Sequence, residues 1–231
     1  MKARFSGIEG RKKKVAIICM KLMAKMYEVY QPVIVDGKVI AKGMRDEQER
    51  WVSIKKAIHK YEVKTVLDIG CAEGFFTLSA AKECACAATG VDGDSRRLWF
   101  ATQQALLDGV MNTTFCYANM TPDFYESLNS YDMVLFLSVL HHYIARDGLE
   151  VGLAVTKKLL ARSRKVMIFE SGYSAERLKL DNMPDMGEDP LGWHFDFLRK
   201  AGAKDIEVLS ESSGYDKSIK RHLLAVTSKN A

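Results

Sequence analysis

The chain has 231 residues, 48% of them apolar and 27% charged, with a net charge of +5. That length suits one α/β domain with a small extension, and the composition excludes disordered, collagenous and disulfide-framed chains. No run approaches the ~20 apolar residues of a membrane span, and the basic N-terminus lacks the apolar core of a secretory signal, so no membrane partner is expected and a cytoplasmic location is.

Met1 to Lys14 is polar and basic, a mobile start by composition. The Arg11-Lys-Lys-Lys14 run is a nucleic-acid arm or, more simply, a solvated segment. From Val15 to Tyr30 apolar residues recur at Ile18, Leu22, Met26 and Tyr30, a helical period whose stripe is expected to line a core. Asp36-Gly37 between two β-branched runs signals a hairpin with a two-residue turn. These segments form an N-terminal helix and hairpin extension over residues 1–45, ahead of a main domain over 46–231. Asp46 is placed to cap a helix through Lys60, with Trp51 packing on the sheet.

Val66, Leu67 and Ile69 form a short apolar strand ending in Asp68-Ile-Gly70-Cys-Ala-Glu-Gly74, and a helical stretch begins at Phe75. Strand, glycine loop and helix together present unpaired backbone N–H groups to a ligand. A pyrophosphate is disfavoured because Asp68 and Glu73 add negative charge where it would sit. A cationic, phosphate-free nucleoside fits better. Ala87 to Asp92 is a second buried strand, and Asp92 lies at the offset where an acidic residue takes the hydroxyls of a ribose. Asp94-Ser95 starts a helix through Leu107, and Thr113 to Ala118 makes the third strand. Asp132 to Ser138 is the fourth. His141 and His142 follow it at the carboxyl edge and are the first candidates for a general base. A helix is expected from Asp147 through Leu160, then a fifth strand from Lys165 to Glu170. Tyr173 to Pro190 is polar and Gly/Pro-containing, a segment suited to covering a substrate. His194, in a helix from Leu191 to Ala201, is a further candidate base, although Trp193, Phe195 and Phe197 around it suggest core. Asp205 to Leu209 and His222 to Thr227 close the sheet. Glu170 and Asp132 are conceivable metal partners of the histidines, but no ligand set of fixed spacing is present, so no metal is expected. The five cysteines lack C-x-x-C spacing and read as reduced thiols.

The residues Asp68-Ile-Gly-Cys-Ala-Glu-Gly74, with Asp92 beyond them, resemble the first motif of the class I S-adenosylmethionine (SAM) methyltransferases, with Ala72 replacing the middle glycine. Ala is tolerated there if its φ is negative. Val35 to Gly43, Tyr131 to Tyr143 and Phe169-Glu170 are similar to the tRNA wobble-uridine methyltransferase-like group within that family. The resemblance implies a Rossmann-like, doubly wound, seven-stranded, mostly parallel α/β sheet with SAM as cofactor. It implies Asp68, Gly70, Cys71, Ala72, Gly74, Asp92, Gly93, Asn119, Met120 and Ser138 as cofactor-binding residues, with Asn119 and Met120 at the adenine. The expected activity is methyl transfer to an oxygen nucleophile of a small molecule or glycan unit. A tRNA acceptor and a non-catalytic SAM-binding role stand as alternatives.

Overall fold

The computed structural model describes residues 2–45, 47–174, 183–213 and 218–228, with residues 2–9 and 122 as backbone alone. Helix α1 (Lys2–Met26) leads into strands β1 (Val33–Val35) and β2 (Lys38–Ala41). The hairpin turn forms as the Asp-Gly pair dictates, with φ of 51° at Asp36 and 69° at Gly37. Then follow α2 (Gln48–Lys60), β3 (Thr65–Ile69), α3 (Phe75–Cys84), β4 (Ala87–Asp92), α4 (Ser95–Asp108) and β5 (Thr113–Tyr117). The second half runs α5 (Pro122–Glu126), β6 (Tyr131–Leu137), α6 (Leu140–Asp147), α7 (Leu149–Arg162), β7 (Ser163–Glu170), α8 (Pro190–Lys200), β8 (Ala203–Ser213) and β9 (Lys220–Ser228). The expected cap Asp46, and residues 175–182 of the expected covering segment, lie outside the described residues.

Seven strands form one sheet in the order β5-β4-β3-β6-β7-β9-β8. The first five of these pair in parallel, while β9 runs antiparallel to β7 and β8. The sheet is doubly wound because both faces are apolar, and the period of two shows it. Val66, Met133, Leu135, Val166 and Ile168 point into one core with α2 and α3. Leu67, Ile69, Val134, Phe136, Met167 and Phe169 point into the other, against α7 and α8. Fully burying each such side chain stabilises the fold by roughly 1.5–3 kcal/mol. The chain leaves β3 toward β4 on one side and returns to β6 on the other. This makes the carboxyl ends of β3 and β6 the switch point, where open sheets leave a crevice.

Two expectations about the extension change. Residues 2–14, whose start was expected to be mobile, are part of α1. The stripe expected to line a core faces outward instead: Ile18 is 56% exposed, Leu22 55% and Met26 70%. The inward face is Ile17, Met20 and Ala24, which pack with Val29, Val33 and Val35 against Trp99, Phe100 and Leu107 of α4. Trp51 packs in the core and its Nε1 donates to Glu83 at 3.0 Å.

Candidate functional site

At the switch point a cleft of about 920 Å³ opens along the carboxyl edge of the sheet. Its walls come from the loops after β3, β4, β5 and β6, the first turns of α6, and single residues of the extension and of β9. A cavity of that size holds a nucleoside with an acceptor beside it.

The loop after β3 is built to close approach. Gly70 has φ +71°, and a Cβ there would meet Val139 Cγ2 at 2.6 Å, so only glycine fits. Ala72 also has positive φ, at 49°, so the condition for an unstrained Ala at this position is not met. Its strain, on the order of 1 kcal/mol, is offset by the bond from its N–H to Asp92 Oδ2 at 2.8 Å. Asp92 Oδ1 accepts from the N–H of Asp94, also at 2.8 Å. Both oxygens keep a lone pair, and the carboxylate lines the cleft.

The structure divides the expected cofactor residues in two. Gly70, Ala72, Asp92, Gly93, Asn119, Met120 and Ser138 line the cleft. Asp68, Cys71 and Gly74 stand behind it. The Asp68 carboxylate is buried under the loop, accepts from Thr77 Oγ1 at 2.7 Å, and is pushed up to about 7 by that burial. Asp68 thus fastens α3 to β3. Burial also raises the Cys71 thiol well above its ordinary value. Glu73 does not face the cleft as a ligand-repelling charge. Its oxygens accept from the N–H groups of Tyr30 at 3.0 Å and Gln31 at 2.8 Å, tying the extension to the glycine loop.

The histidine pair lies on the first turn of α6, a short helix the sequence reading did not expect, ahead of α7, which matches the helix expected from Asp147 through Leu160. His141 is buried, and its Nδ1 accepts from the N–H of Gly172 at 3.1 Å, with Ser171 Oγ at 3.3 Å. Accepting from a backbone N–H requires Nδ1 to be unprotonated, so the ring proton is on Nε2. Burial, then His142 and Arg221, hold this imidazole well below its ordinary range. His142 packs against it with the rings tilted by 41° and 4.3 Å between their centroids, and is exposed to the cleft. Desolvation, then Arg221 and Arg97, lower its pKa as well, so it is a neutral proton acceptor at pH 7. His194 is removed from the catalytic set. Its ring is buried among Phe169, Tyr173 and Trp193, away from the cleft, and burial lowers it to about 4.

The conceivable metal partners are likewise used elsewhere. Asp132 sits at the amino end of β6, where it accepts from Lys64 N at 2.8 Å and pairs with Arg164 at 3.0 Å. Glu170 is fully buried between Arg45 at 3.1 Å, Arg50 at 3.2 Å and Arg221 at 3.5 Å. Burial alone would raise its pKa, but Arg50, Arg45 and Arg221 hold it well below the carboxylate range. Among the described residues no cluster of acids, histidines and cysteines is arranged to hold a metal.

Tyr30, Arg97, Tyr143, Arg146 and Arg221 also line the cleft and were not among the site candidates read from the sequence. Arg221 is delivered by the reversal of β9, whose antiparallel register brings its first residues to the carboxyl end of β7. Arg221 Nη1 then lies 3.1 Å from Ser138 Oγ. Only Tyr143 and Arg146 carried a signal, by helical spacing from the histidines.

Residues 66–163 match the protein family described as "Methyltransferase domain". Among solved structures, the chain is similar to the bifunctional kinase-methyltransferase WbdD, with a TM-score of 0.75 and 20% identity over 89% of this chain and 45% of that one. It is also similar to the N-terminal domain of EvdMO1 in the presence of SAH and D-fucose, with a TM-score of 0.65 and 17% identity over 94% of this chain and 97% of that one. These likenesses show a common fold. The chain spans less than half the length of WbdD. No curated protein sequence matches it.

Proposed function

We propose that this chain, which carries a methyltransferase domain in the class I, SAM-dependent fold, transfers a methyl group from SAM to a hydroxyl oxygen of a small molecule or glycan unit. The observation that carries the reading is that Asp92 and His142 line one cleft, a ribose acceptor and a proton acceptor on the same sheet edge. The donor set fits the cofactor. Asp92 keeps lone pairs for two ribose hydroxyls, Gly70 and Gly93 allow close approach, and Asn119 with Met120 offers an amide and an apolar face to adenine.

SAM supplies a methyl group already activated on a sulfonium, so the protein's task is alignment and proton removal. His142 takes the hydroxyl proton at a ring nitrogen as the oxygen becomes nucleophilic. His141 stays neutral, locked by Gly172, and sets the orientation of its neighbour. Ser138 and Arg221 close the far wall, where the Arg221 guanidinium offers a charged donor suited to a polyhydroxylated acceptor. The D-fucose accompanying EvdMO1 makes sugars the first acceptors to try.

A second reading, methylation of tRNA, is favoured by the basic run Arg11 to Lys14 on α1. A labelled-methyl screen against free sugars, glycosides and total RNA separates the two. We expect label in the sugar or glycoside fraction. Label in RNA alone would replace the sugar reading, and SAM binding with no transfer to any acceptor would support a non-catalytic SAM-binding protein.

A further inference from the structure

The outward face of α1 carries a row of exposed apolar side chains. Val15, Ile18, Leu22 and Met26 are 60%, 56%, 55% and 70% exposed, and the helical period puts them in one stripe. The inward face of the same helix is already apolar and packed on α4, so this second stripe contributes nothing to the core. Exposed contiguous apolar surface of this kind marks an interaction site. Between Gly10 and Met26 the chain has six Lys and Arg and no acid, a local +6, whereas the whole chain is only +5. Lys14, Lys21 and Lys25 flank the stripe on one side and Lys12 on the other, and all four are exposed. Among the described residues none of these four pairs with an acid, whereas the inward-leaning Lys13 meets Asp36 at 2.7 Å.

We propose that α1 is a membrane-surface helix that seats this stripe in a bilayer containing anionic phospholipid. Apolar burial combined with lysines at headgroup level is the pattern of helices that lie in the interface plane. A second copy of the chain is a poorer occupant, since it would bring two +6 helices together. A polyanion such as RNA uses the lysines but gives no role to Ile18 and Leu22. This contact needs no membrane span, so it replaces the expectation that membranes are not partners. The stripe ends at Met26 beside Arg97, which also lines the cleft, so docking holds the cleft near the lipid surface. The proposal does not depend on which acceptor the cleft takes.

The test is co-sedimentation of the full chain with vesicles of phosphatidylcholine alone or mixed with phosphatidylserine, in parallel with polyuridylate binding and sizing without lipid. Binding to the mixed vesicles, weakening as salt rises, is expected. Ile18→Ser/Leu22→Ser should abolish it at unchanged charge, and Lys21→Gln/Lys25→Gln should weaken it about 25-fold, taking about fivefold per lysine. Circular dichroism and melting temperature should match the wild type in both variants, because all four side chains are exposed. No vesicle binding, or equal binding to neutral and anionic vesicles, overturns the proposal. So does polyuridylate binding that survives the serine variant without any vesicle binding. Self-association lost in that variant, again with no vesicle binding, would reassign the stripe to an interface between copies.

Discussion

The N–H of Gly172 donates to His141 Nδ1 across 3.1 Å, and this contact assigns unequal roles to two histidines that look equivalent in sequence. With its basic nitrogen occupied, His141 is proposed as an orienting group and His142 as the base. We expect His142→Ala to lower turnover at least ~100-fold, the size of general-base loss, with SAM affinity nearly unchanged. In His141→Asn the amide oxygen can take the Gly172 bond, so turnover should stay within about tenfold of the wild type. The rate of the wild type should fall on acidification only below the ordinary imidazole value of about 6.5, because His142 is lowered. Steady-state kinetics on both variants decides between them, and a wild-type rate for His142→Ala would remove the base assignment.

Glu73 holds the extension against the domain through the N–H groups of Tyr30 and Gln31. Glu73→Ala leaves two backbone donors without their carboxylate, which costs about 1–3 kcal/mol. Limited proteolysis should therefore cut faster between residues 27 and 45 in the variant. Unchanged cutting would mean that the packing of Met20, Val29 and Val33 on Phe100 suffices.

Glu170 is the counter-charge shared by Arg45, Arg50 and Arg221, and it accepts from Ser138 Oγ at 2.8 Å, bracing a residue whose φ is +58°. Glu170→Gln leaves the guanidinium groups in low dielectric with less counter-charge, a loss of roughly 3–5 kcal/mol. In a chain of this size the melting temperature should drop by about 10 °C. Scanning calorimetry checks this. A shift below about 2 °C would show that water already screens the cluster.

Stability should depend on pH through His194. An unfolded imidazole binds its proton near pH 6.5, whereas burial holds the folded one to about 4. Between those values the unfolded chain binds more protons, so stability is full above about pH 6.5 and falls as the pH drops toward 4. The loss from this group at pH 5 is about 2 kcal/mol. Urea midpoints at pH 7 and pH 5 should differ less in His194→Phe than in the wild type. Equal differences in the two proteins would contradict the assignment.

Much of the fold was legible because local chemistry and global packing agree. Asp36-Gly37 needs positive φ at both positions and obtains it, and the unbroken apolar run of Asp132 to Ser138 had to be a central strand. The site was legible where it is contiguous, as at Gly70, Asp92 and Asn119. It was not where tertiary geometry decides. Arg221 reaches the cleft only because β9 reverses, and Asp68 turns beneath the loop only because Thr77 on α3 meets it. The stripe of α1 misled for a related reason. Periodicity reports that a face is apolar, and the packing on Phe100 decided which of two apolar faces turned inward.

The central claim is that the loops after β3 and β4 hold SAM, and calorimetric titration of SAM into the wild type and Asp92→Ala tests it most directly. The account predicts one site per chain in the wild type. It also predicts at least ~100-fold weaker binding in the variant, from the loss of two bonds to a charged group at roughly 1.5–3 kcal/mol each. No binding to the wild type, or undiminished affinity in Asp92→Ala, would contradict it.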